Sequence, residues 1–118
     1  MHSDILKSCK GANRKGAETM QKMITKAIEQ KAPRLYETDG QGMQAVAVAH
    51  YFSCFNGWDW YMTEYDPTTG EAFGLVCGVD RELGYFSLAE FERINRAKGL
   101  NVIERDIHWT PCRLEEVA

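Results

Sequence analysis

The sequence predicts an α+β domain: an antiparallel sheet of about four strands with two helices packed on it. Three observations predict it. Asp66-Pro67-Thr68-Thr69-Gly70 is a turn sequence between two β-type runs. A capped, amphipathic stretch begins at Ser87 and stops at Gly99. The chain has 118 residues, 44% hydrophobic and 26% charged, which is ordinary composition for one domain with a core of its own.

Residues 1–16 are polar, contain Gly11 and Gly16 and show no period, so a flexible basic arm is expected there. Met20, Met23, Ile24, Ala27 and Ile28 recur at helical spacing and predict a helix from Ala17 to about Gln30, ended by Pro33. The expected organisation is therefore an arm over 1–16 and one domain over 17–118. Alternation predicts a strand over Ala45–Phe52, with Val46, Val48, His50 and Phe52 on one face. Asn56-Gly57 turns the chain into a second strand, Trp58–Tyr65.

Pro67 presets the first φ of the following turn and Gly70 suits a left-handed position, so Glu71–Val79 should return as the hairpin partner. Gly74 and Gly78 share a face of that strand and should leave room for Trp58 or Trp60. Leu83-Gly84-Tyr85-Phe86 leads into the helix, which Ser87 caps with Glu90 three residues on, and whose stripe is Leu88, Phe91 and Ile94. Leu100–Trp109 is expected as the last strand.

Charge is unevenly spread. Residues 1–34 hold eight basic and three acidic residues, whereas residues 35–118 hold six basic and fourteen acidic ones. Between Leu35 and Asp80 there is no Lys or Arg, so this stretch is a poor surface for a phosphate backbone, and nucleic acid is expected to be contacted only through residues 1–34. No run approaches the ~18 apolar residues of a membrane span. The opening MHSDILKSCK lacks the apolar stretch of a secretory signal, so a cytoplasmic protein with no membrane partner is expected.

The chemistry-bearing patterns are few. Glu104, Asp106 and His108 alternate, so on a strand they would leave from one face, as ligands for a water-activating divalent metal do. The opposite face, Ile103, Ile107 and Trp109, equally describes a half-buried strand with a solvated side. His50-x-x-x-Cys54 and His108-x-x-x-Cys112 would supply a Cys₂His₂ set only if each strand ended inside its pair, because residues four apart on a strand lie about 13 Å apart. Neither spacing is a structural-zinc signature, so no cofactor is expected. Phosphate-loop, nucleophile-elbow and dinucleotide motifs do not occur.

Trp58-Asp59-Trp60-Tyr61-Met62-Thr63-Glu64-Tyr65, Phe73-Gly74-Leu75-Val76, Glu82-Leu83-Gly84-Tyr85-Phe86-Ser87-Leu88 and Ile103-Glu104-Arg105-Asp106 together resemble a family of small bacterial, plasmid and phage proteins, domain of unknown function family 2958. Ala32-Pro33-Arg34-Leu35-Tyr36 resembles its opening segment. The resemblance spans about Ala32 to Val117, which makes residues 17–31 look like an added helix, and Cys54 and Cys112 fall outside the pattern. It implies carriage on mobile elements, often near antirestriction or DNA-handling genes, and no established activity.

The leading expectation is a non-enzymatic accessory protein that binds a host- or element-encoded protein through Trp58, Asp59, Tyr61, Glu64 and Tyr65, with acidic DNA mimicry as its sharper form. The alternatives are a metal-dependent nuclease or phosphodiesterase on Glu104, Asp106 and His108, and nucleic-acid binding through the basic arm.

Overall fold

The computed structural model describes residues 21–117. The expected arm and the start of the expected first helix lie outside that range. From Gln21 to Ile24 the chain is irregular, and helix α1 spans only Lys26–Lys31, capped by Thr25 Oγ1, which accepts the Ile28 N–H. The apolar period promised a longer helix, but tertiary bonds overrule it. Met23 donates its N–H to Glu92 Oε2 and accepts the Tyr51 hydroxyl at 2.6 Å, which seats its side chain, fully buried, in the core.

Seven strands follow: β1 (Val46–Ala47), β2 (Ala49–Ser53), β3 (Asp59–Asp66), β4 (Glu71–Cys77), β5 (Arg81–Ser87), β6 (Ile103–Arg105) and β7 (Cys112–Arg113). Five form an antiparallel sheet in the order β5-β4-β3-β2-β6, and β1 and β7 pair as a small separate ribbon. The α+β class is as expected, with one more strand in the main sheet. The extra strand is β5, which pairs with β4 from Cys77↔Arg81 to Glu71↔Ser87 before the chain enters helix α2 (Leu88–Lys98).

The β3–β4 hairpin forms where the turn sequence placed it. Gly70 takes φ +82° and donates its N–H to the Asp66 carbonyl at 2.8 Å, while Asp66 Oδ1 accepts from Thr68. Helix α2 has the cap and the stop that were read: Ser87 Oγ accepts the Glu90 N–H, and Gly99 is left-handed at φ +74°. A last turn of helix, α3, spans Leu114–Val117.

Three expected strand features change. The Ala45–Phe52 strand is interrupted at Val48, whose N–H bonds to the Met62 carbonyl, and Val46 is exposed. The last strand keeps only Ile103–Arg105, because Asp106 Oδ1 accepts the His108 N–H and folds the chain into a side-chain-stabilised turn. Gly78 does make room for a tryptophan, since a Cβ there would lie 2.6 Å from the Trp58 ring. Gly74 instead makes room for backbone: its Cβ would lie 1.8 Å from the Tyr61 carbonyl oxygen, beside a bulge between Met62 and Glu64.

Both faces of the sheet are used. On the inner face Tyr51, Trp60, Met62, Tyr65 and Ile103 pack with Met23 and with Leu88 and Phe91 of α2. Each large side chain so buried contributes about 1.5–3 kcal/mol. On the outer face Ala47, Leu75 and Leu114 form a smaller cluster with Met43, Tyr61 and Trp109. The β6 edge is closed by Gln21, whose carboxamide both donates to and accepts from the Arg105 backbone. Among the described residues nothing pairs with the free edge of β5.

Candidate functional site

Cross-strand partners leave an antiparallel sheet on the same side, so the register sorts the outer face into rows. One row runs Glu104, Phe52, Asp59, Cys77, Arg81. The next runs His50, Tyr61, Leu75, Leu83. Beyond the bulge the following row is Glu64, Phe73, Tyr85.

His50 lies between two carboxylates. Its Nε2 is 2.7 Å from Asp59 Oδ1 and its Nδ1 is 2.9 Å from Asp106 Oδ2. The ring stacks on Tyr61 at 4.5 Å and 8°, with Trp109 beyond, and the residue is buried. A neutral imidazole has one N–H and one lone pair, so only the doubly protonated ring donates to both carboxylates. The trio ties β2 and β3 to the turn after β6. Both ring nitrogens of His50 are thus occupied by carboxylates.

Glu104 sits one row away at the edge strand, 7% exposed, and its Oε2 has no hydrogen-bond partner. Burial alone pushes its carboxyl up from the ordinary 4.5 to about 7.

The other half of the outer face is open. A cleft of about 260 Å³ lies between the 38–45 segment and strands β3 to β5, lined by Thr38, Asp39, Ala45, Thr63, Phe73 and Leu83. Glu64 holds its rim. This carboxylate is 3% exposed; Oε1 accepts the Tyr36 N–H at 2.8 Å, and Oε2 accepts the Thr38 N–H at 2.9 Å and the Thr38 hydroxyl. The clamp keeps Tyr36 at φ +76°, a left-handed conformation that costs a side-chain-bearing residue about 1 kcal/mol or more. Tyr36 is 66% exposed, and Leu83 and Tyr85 beside it on β5 are also exposed. The hydrogen bond that the Tyr85 hydroxyl makes to Tyr36 raises the Tyr85 phenol, with desolvation and the nearby charges of Glu64 and Glu71 adding to the shift.

Of the five residues expected to form a binding surface, none stands freely exposed. Asp59 and Tyr61 belong to the His50 grouping, and burial pushes the Tyr61 phenol well above its usual range. Trp58 is half-buried over Gly78. Glu64 is the buried clamp. Tyr65, four residues on from Tyr61, would share its face on an unbroken strand, but the bulge turns it over, and it is buried with Trp60 and Met62.

The Glu104/Asp106/His108 face does not form, because the strand ends at Arg105 and His108 is exposed in the turn that follows. The Cys₂His₂ set is not gathered either. His50 is paired to Asp59 and Asp106, Cys54 is disulfide-bonded, and Cys112 lies on the β1–β7 ribbon. No group of three or more His, Cys, Asp or Glu among the described residues could hold a metal ion.

The residues that sequence reasoning missed are Tyr36, Leu83 and Tyr85. The alternation of Leu83 and Tyr85 with Gly84 was a signal for a strand with one aromatic side. No local pattern marks Tyr36, whose position depends on Glu64.

A family model described as a protein of unknown function (DUF2958) matches residues 16–114, beginning ahead of the Ala32 segment. No curated protein and no solved structure matches.

Proposed function

We propose that this chain, which belongs to the DUF2958 family of proteins of unknown function, is a non-enzymatic accessory protein that works by binding another protein. One observation carries the reading. Tyr36, Leu83 and Tyr85 stand exposed beside a cleft at a sheet edge that no described strand pairs, and the first is held there in a costly backbone conformation by a buried carboxylate. Aromatic anchors beside a concave apolar floor are the usual makings of a protein contact. The binding surface thus shifts from the hairpin residues expected in sequence to the β4–β5 side of the outer face.

Carriage on a phage or mobile element, and a host DNA-handling protein as the target, complete the proposal. They are supported by the family resemblance and by a body that has no Lys or Arg between Leu35 and Asp80. The test is affinity purification of the tagged full chain from host lysate, with and without nuclease, beside a Tyr36→Ala/Tyr85→Ala variant. One near-stoichiometric protein should survive nuclease with the parent chain and disappear with the variant. Loss of every partner on nuclease treatment, or equal capture by the variant, would overturn the reading.

A further inference from the structure

We infer that the site takes an extended segment of its partner as an additional antiparallel strand on β5, and that this segment alternates apolar residues with Lys or Arg. The inference rests on the protein-binding reading and specifies the partner's chemistry.

On β5, alternate residues leave their main-chain groups spare. Gly78 donates its N–H to the Asp80 carbonyl, and Leu88 donates its N–H to the Gly70 carbonyl at the far end of the same ladder. In an antiparallel pair the bonded residues alternate, so 80, 82, 84, 86 and 88 turn their N–H and C=O groups toward β4. Arg81, Leu83 and Tyr85 therefore turn theirs outward, to an edge that no described strand covers. Such an edge is a template for another strand, and this one lacks the proline or bulge that would blunt it.

The same residues supply the side-chain contacts. Leu83 and Tyr85 project onto the outer face beside the cleft, and residues of an added strand opposite them would project to that side as well. Half of the added side chains would thus lie against the exposed apolar group.

Charge selects the remainder. Glu82, exposed, is on the side of β5 that the remaining side chains would face, while Asp39 and Glu71, also exposed, add negative charge around the edge on the outer side. Arg81 at the start of β5 is the one cation on the strand. Like charges facing one another across an interface are costly, so a basic segment fits and an acidic one does not.

The probe is a phage-displayed library of random peptides panned against the full chain. Enriched peptides should alternate apolar residues with Lys or Arg. Leu83→Pro should weaken a selected peptide about tenfold or more, because it removes an outward N–H while leaving the β4 ladder intact. Amide exchange provides a readout independent of that variant's folding. The Leu83 and Tyr85 amides should exchange fast in the free chain and slow on peptide binding, with Gly84 and Phe86 slow throughout.

Selected peptides that are acidic, or that leave the Leu83 and Tyr85 amides fast, would overturn strand addition while the protein-binding reading stood. A concentration-dependent dimer protecting those amides would replace the foreign segment with a second copy of the chain. A library that yields no binder, together with a lysate that yields no protein, would remove both readings.

Discussion

Replacing Glu104 by Gln should change how stability depends on pH, in a direction the structure specifies. The carboxyl is buried, has one oxygen without a partner, and is raised from 4.5 to about 7. Below about pH 4.5 it is protonated in both folded and unfolded chains and contributes nothing. Between 4.5 and about 7 the unfolded chain ionises first, so the folded state holds more protons and stability falls as pH rises. Above about 7 the penalty is constant.

At about 1.4 kcal/mol for each tenfold change in proton affinity, that interval caps the penalty at about 3.5 kcal/mol, and relaxation of the surroundings brings the expected value to about 1–3. The amide cannot ionise, so Glu104→Gln removes the pH-dependent part. The assay is urea unfolding of both proteins from about pH 4 to pH 8.5, read as the difference between their stabilities, which cancels the other titrating groups. The variant should gain about 1–3 kcal/mol on the parent as pH rises through that window. Parallel curves, or a difference that moves the other way, would refute the claim that burial holds the proton on Glu104.

Other perturbations separate packing from function. Gly74→Ala should destabilise by about 3 kcal/mol or prevent folding, because its Cβ meets the Tyr61 carbonyl at 1.8 Å, whereas Gly84→Ala on the neighbouring strand meets only Val76 Cγ2 at 4.0 Å and should unfold close to the parent's urea midpoint. Glu64→Ala leaves the Tyr36 and Thr38 amides without their acceptor, so a loss of about 2–4 kcal/mol and new chymotrypsin cleavage at Tyr36 are expected. Tyr36→Gly relieves the left-handed conformation and should raise the thermal midpoint while weakening partner capture; a lowered midpoint would show that the tyrosine is held for packing instead.

Local chemistry by itself determined much of this protein. The β3–β4 turn, the Ser87 cap and the Gly99 stop depend on residues within four positions of one another, and the structure has them where the sequence placed them. The α+β class followed from these together with strand alternation.

Tertiary structure decided the rest, because the deciding partners are far apart in the chain. Met23 left its helical pattern for Glu92 and Tyr51, and the strand after Ile103 stopped where Asp106 could reach His50. One bulged position in β3 turned Tyr65 into the core and put Glu64 beneath Tyr36, since a strand's period of two sends every later side chain to the other face. The edge of β5, which no described residue pairs, is likewise a property of the assembled sheet, whose opposite edge at β6 Gln21 closes.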